Sequence, residues 1–136
     1  MAEFPAAVCD TNALLWHTAG RESRLGRLAA AHFVKSDRQL ALSYVPVAVI
    51  WETTVLARAG HVVLRRPVRE FFDDLFSDPC YQPVDLTPAQ VYDADDLRFA
   101  KDPFDAMICA CARALDLPLI TRDTAIEQAK VVRTLW

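Results

Sequence analysis

The chain has 136 residues, 53% of them hydrophobic, enough for one core that buries roughly two-thirds of the unfolded surface without disulfide or metal staples. Eight prolines and three glycines are thinly spread, no linker, repeat or low-complexity tract marks a second unit, and residues 1–136 are expected to form one domain. The net charge of −3 excludes a simple basic nucleic-acid-binding module, but not an enzyme that holds cations in an acidic pocket and takes phosphates elsewhere.

The opening MAEFPAAVCD carries Glu3 beside a short apolar run, which reads as a buried strand rather than a signal peptide. No apolar stretch approaches the roughly 20 residues of a membrane span. Cys9, Cys80, Cys109 and Cys111 contain no C-x-x-C pair, so they are expected to be reduced thiols of a cytoplasmic protein rather than a zinc site.

In chain order, Ala6–Asp10 is a short apolar strand and Thr11–Ala19 a helix. Ser23 is expected to cap a helix through Lys35, with Leu25, Leu28, Ala29 and Phe33 facing inward. Gln39–Ser43 is a second buried strand, and Pro46 fits the first turn of a helix that runs to about Arg58 and stops at Gly60. Val62–Phe76 is helical with a break at Pro67. Gln82–Leu86 is a third strand, and Thr87-Pro88-Ala89-Gln90 spells a capping box. Asp102-Pro103-Phe104-Asp105 opens a helix through about Asp116, with Phe104, Met107, Ile108, Cys111 and Leu115 as its apolar stripe. Leu117–Thr121 is a strand, Asp123–Lys130 a short helix and Val131–Leu135 a closing strand. Short apolar strands alternating with helices predict a three-layer α/β/α sandwich around a central, mainly parallel sheet of about five strands.

Certain acids sit in apolar company. Asp10 is the only formally charged residue between Phe4 and His17, and Glu52 the only one between Gln39 and Ala57. Such carboxylates are costly to bury unless paired or bound to a cation. Ligands of open parallel sheets bind beyond the carboxyl ends of the strands. Asp10 and Asp123 fall at such ends, Asp105 begins a helix near the same edge, and Glu52 points inward two turns into its helix. Four converging carboxylates repel one another. Mg²⁺ or Mn²⁺, hard ions with oxygen ligands, would neutralise the set and activate water for phosphodiester hydrolysis. Asp102 is assigned to helix capping, a role also open to Asp105, Asp10 and Asp123, Glu52 could instead pair with an arginine, and Asp93, Asp95, Asp96 and Asp116 read as surface acids. His17 lies seven residues past Asp10 and reads as a helix-surface or interface residue, since metal-activated water needs no protein base.

The segments Val8-Cys9-Asp10-Thr11-Asn12-Ala13-Leu14-Leu15-Trp16, Trp51-Glu52, Asp102-Pro103-Phe104-Asp105 and Leu119-Ile120-Thr121-Arg122-Asp123 resemble, in order, the four motifs of PIN-domain toxins, the VapC class of type II toxin–antitoxin modules. Single motifs of this kind are weak; four in order across the whole chain, with an eighteen-residue step from Asp105 to Asp123, are specific. The resemblance implies a Mg²⁺- or Mn²⁺-dependent endoribonuclease acting on tRNA or rRNA, which forms a homodimer and is neutralised by an antitoxin segment laid over the acidic pocket. It makes Asp10, Glu52, Asp105 and Asp123 the metal-binding and catalytic acids, and Asn12 and Thr121 supporting residues that orient water or a carboxylate. Many members carry His at the place of Asn12 and a basic residue at that of Ala106, so Arg98, Lys101 and Arg122 become the candidate RNA contacts. Arg58, Arg65, Arg66 and Arg69 form a basic cluster suited to RNA, to an antitoxin or to solvent alone. Two rivals remain: a phosphoaspartate hydrolase or receiver with Asp10 as nucleophile, and a catalytically silent PIN-like module that binds RNA or protein.

Overall fold

The computed structural model describes residues 4–100 and 102–136. Its strands are β1 (Ala6–Cys9), β2 (Leu42–Pro46), β3 (Tyr81–Val84), β4 (Leu119–Ile120) and β5 (Thr134–Leu135). The helices are α1 (Thr11–Thr18), α2 (Arg27–Asp37), α3 (Val47–Arg58), α4 (Val68–Phe76), α5 (Pro88–Asp96), α6 (Pro103–Leu115) and α7 (Thr124–Ala129). All strand pairs are parallel, in the order β3-β2-β1-β4-β5. The α/β sandwich with a five-stranded parallel sheet is therefore as the sequence predicts.

β1 is the centre of the sheet: Val8 pairs with Tyr44 on one side and Leu119 on the other. Ala7, Val8, Cys9, Val45, Leu119 and Ile120 are fully buried, because a parallel strand covered on both faces needs apolar residues on both. The chain steps outward from β1 to β2 and β3, then returns to β4 on the far side of β1. Strand order thus reverses between β1 and β4, which opens a crevice beyond their carboxyl ends. Asp10 and Asp123 follow these two strands. No helix among the described residues is long and apolar enough to cross a membrane, and all four cysteines are buried and free.

Several boundaries differ from expectation, each for a tertiary or local reason. Ser23 caps no helix: Glu22–Arg24 form a 3-10 turn, and α2 begins at Arg27 behind Gly26. The Trp136 carbonyl accepts the Leu28 N–H at 3.2 Å, meeting the helix-end requirement that Ser23 was expected to meet. Leu28 is accordingly 52% exposed, whereas Ala29 and Phe33 are buried as expected. β2 starts at Leu42, not Gln39, because Gln39 leaves α2 in the left-handed region (φ 64°). It runs through Pro46, which is the N-cap of α3 rather than a first-turn residue. Gly60, at φ 76°, takes the left-handed position expected after that helix. Residues 62–67 are not helical; α4 starts only after Pro67. β3 is shifted to Tyr81–Val84, and β4 and β5 shrink to two residues each. α6 buries more than its stripe: Ala106, Cys109, Ala110 and Ala112 are covered, while Leu115 is 36% exposed.

Gly26 makes the first testable case. A Cβ there would lie 2.4 Å from the Trp136 carbonyl carbon and 2.5 Å from its indole, closer than any real contact. Gly26→Ala must displace Trp136, and urea unfolding is expected to show a loss of about 1–3 kcal/mol. An unchanged midpoint would show that Trp136 is not packed there in solution.

Candidate active site

The backbone brings the acids together one element at a time. Asp10 ends β1, where its N–H donates to Ile120 O at 3.1 Å and so ties it to the end of β4. Its Oδ1 accepts the Ala13 N–H at 2.8 Å, capping α1, and the Thr121 hydroxyl is near enough to its carboxylate to favour the charged form. Asp123 caps α7 through Oδ1, which accepts from Ala125 N–H (2.8 Å) and Ile126 N–H (3.2 Å). Its own N–H donates to Thr121 Oγ1 at 3.1 Å. Thr121, buried, is thus tied to Asp123 and stands beside Asp10. Capping and facing the crevice are compatible, since the cap occupies Oδ1 of Asp123 and leaves Oδ2.

Glu52, half-buried on α3, accepts a hydrogen bond from the Thr11 hydroxyl. Asp105 stands in the first turn of α6, and Asp102 caps that helix through Phe104 N–H at 2.7 Å. These side chains line one cleft of about 270 Å³, together with Thr11, Asn12, Trp16 and Arg122. Asp102 belongs to the cleft as well as to the cap. A larger hollow, about 730 Å³, lies at the other end of α6 among Arg113, Glu127, Arg133 and apolar neighbours. Chemistry, not size, singles out the smaller one: nowhere in the larger hollow do several carboxylates converge.

The cleft is electrostatically tense. Burial, above all, pushes the Asp10 carboxyl up to about 6; the Glu52 and Asp123 charges add to this, and hydrogen bonds from Thr121 and Ala13 oppose it. Asp105 rises to about 7, through burial first and then the charges of Asp102, Asp123, Glu52 and Asp10. Burial also raises Glu52, against the Thr11 hydrogen bond. Among the described residues none of Asp10, Glu52, Asp105 and Asp123 forms an ion pair. An oxygen-only donor set with surplus negative charge fits a hard divalent cation such as Mg²⁺ or Mn²⁺. Among the described residues no three ligating side chains yet converge on one point, so the fit is one of donor chemistry and charge.

The remaining candidates separate. Asn12 and Arg122 are exposed at the cleft's rim. Arg98 pairs with Asp95 at 3.4 Å and faces a hollow between α5 and α6, away from the acids. Lys101 lies outside the described residues. His17 is held between Glu22 (2.6 Å) and Asp37 (2.9 Å) and stacks on Phe33, a packing role remote from the acids. The basic cluster is divided: Arg66 pairs with Asp74 and Arg69 with Asp73, while Arg58 lies over Trp51. Asp93 is not a freely solvated acid, since it receives Arg113 Nε at 2.9 Å across α5 and α6. Thr11 and Trp16 carry no charge and drew no notice in the sequence; their only signal was their place in the segment that begins at Val8.

Comparison with known proteins bears on the family and the fold. The PIN domain family model matches residues 7–132. No curated protein matches the chain. Among solved structures, the chain is similar to a toxin–antitoxin complex from Klebsiella pneumoniae, with TM-score 0.61, 21% identity, and 94% of this chain and 96% of the other covered. It is also similar to VapBC2 from Rickettsia felis bound to a DNA fragment from their promoter, with TM-score 0.67, 11% identity, and 95% and 96% covered. At these identities the structures establish a shared fold.

Proposed function

The chain belongs to the PIN domain family, and from that premise we propose that it is a metal-dependent endoribonuclease, the toxin of a type II toxin–antitoxin module. The observation that carries the reading is the cleft itself. Four carboxylates from four separate segments line it beyond the β1–β4 reversal, with no cation of the described residues paired to them. Family membership, rather than any one residue, sets this above the phosphoaspartate rival; the intact set of acids speaks against a silent module.

Asp10, Glu52, Asp105 and Asp123 would hold Mg²⁺ or Mn²⁺. When bound, the ion supplies positive charge to the phosphate oxygens and lowers the pKa of the attacking water. The Ala13 N–H and the Thr11 hydroxyl hold the carboxylates of Asp10 and Glu52 in place by hydrogen bonds, so that little reorganisation is needed when the scissile phosphate arrives. Burial and the neighbouring carboxylates raise the Asp105 carboxyl to about 7, so it would have to be ionised to hold the ion. The RNA is tRNA or rRNA, the working unit a cytoplasmic homodimer, and the inhibitor an antitoxin; similarity to toxin–antitoxin complexes supports the last of these.

The test is direct. Purified protein incubated with total RNA and Mg²⁺ or Mn²⁺ is expected to yield fragments with few, defined ends, absent with chelator and in Glu52→Gln. Intact RNA under both ions would overturn the reading. Sequencing the ends identifies the RNA.

A further inference from the structure

Among the described residues Arg122 is the cationic side chain that lines the acidic cleft, yet it pairs with none of the five carboxylates there. Instead its guanidinium carbon lies 4.8 Å from the centre of the Trp16 ring. Arg24 approaches the same ring at 5.8 Å. Trp16 is held in turn by Trp136, edge to face at 6.2 Å and 68°, and Trp136 by its seat on Gly26.

Stacking on an indole occupies the face of a guanidinium and leaves its in-plane N–H groups free. Those N–H groups form the planar fork that grips a phosphate through two oxygens. An arginine released from the ring would collapse onto the adjacent carboxylates, where it would both neutralise the metal-binding acids and lose its donors. Arg122 is exposed and sits between Thr121 and Asp123, so its backbone is fixed by the hydrogen bonds that set the acids, and the ring fixes the rest of the side chain.

We propose that Trp16 is a positioning residue that holds Arg122 off the carboxylates, at the rim of the cleft, as the clamp for a phosphate of the bound RNA strand. The inference rests on the ribonuclease reading and adds to it a route by which an acidic cleft accepts a polyanion.

Steady-state cleavage and RNA binding of Trp16→Leu, Trp16→Phe and Arg122→Gln test it, with Mn²⁺ affinity measured by calorimetry on each. Arg122→Gln and Trp16→Leu are expected to raise KM about 10-fold, with kcat within about threefold and Mn²⁺ affinity unchanged. Trp16→Phe keeps an aromatic face and should restore KM to within about threefold. The double variant should be no worse than Arg122→Gln, and the salt slope of binding should fall by about 1. Should Trp16→Leu fail to bind Mn²⁺, Trp16→Phe and Arg122→Gln decide alone, as a KM near wild type in the first and raised in the second. A wild-type KM in Arg122→Gln, or additive losses in the double variant, overturns the clamp while leaving the nuclease standing. Wild-type protein that neither binds nor cleaves RNA overturns both.

Discussion

Asp10→Asn is expected to abolish RNA cleavage and at the same time to make the metal-free protein more stable at pH 7.5. Loss of a residue that merely supports a metal ligand costs 10–100-fold, so loss of a ligand should cost at least about 100-fold. The stability gain follows from the electrostatics. The Asp10 carboxyl, ordinarily near 3.8, is raised to about 6 in the folded chain, so the folded state holds this proton more tightly than the unfolded state. Its ionisation therefore lowers stability as pH rises from about 4 through 6, and the whole penalty stands at pH 7.5. Asparagine carries no charge to repel Glu52 and Asp123, yet keeps an oxygen to accept the Ala13 N–H and cap α1. The expected gain is about 1–2 kcal/mol, reduced from the full value because part of the side chain meets solvent. Urea unfolding in chelator at pH 7.5 and pH 4.5 checks it: the gain should be full at the first and fall to about a third of that at the second. A loss of stability at pH 7.5 would mean that the carboxylate is compensated in some other way.

Mn²⁺ added to the wild-type chain should raise the midpoint of thermal unfolding by about 10 °C when present at about 100 times its dissociation constant. The effect should be largest above pH 7 and fade towards pH 5. Asp10 and Asp105, raised to about 6 and about 7, must be ionised to bind, so protons compete with the ion across that window. His32 complicates a plain stability profile: burial pushes its pKa down, so protonation of the unfolded state takes stability away as pH falls through the histidine range. Comparing each pH with and without Mn²⁺ cancels that contribution, which is common to both. Asp105→Asn should remove most of the shift. A Mn²⁺ effect independent of pH between 5 and 8, or undiminished in Asp105→Asn, would place the ion elsewhere.

Much of this was legible in the residues alone. Lone carboxylates in apolar stretches marked Asp10 and Glu52, because a buried charge is too costly to persist without a purpose. The parallel sheet was legible for a similar reason: strands such as Ala7-Val8-Cys9 are apolar on both faces only when both faces are covered. Thr87 and Asp102 were readable as caps, since an N-cap depends on neighbours two or three residues away.

What failed to show was whatever depended on distant parts of the chain. The start of α2 is decided by Trp136, over a hundred residues later, so the local signal at Ser23 misled. Arg98 and Arg122 look equivalent as isolated basic residues, but only packing sends one to Asp95 and the other to the indole of Trp16. Thr11 and Trp16 bear no charge, and their value to the cleft exists only once α3 and the β4–α7 turn are brought beside α1. The sequence by itself thus determined the architecture and marked the acids that line the cleft, because burial cost and cap geometry act over a few residues. Only the tertiary structure decided which neutral and cationic side chains serve those acids, because contacts across the sheet leave no local trace.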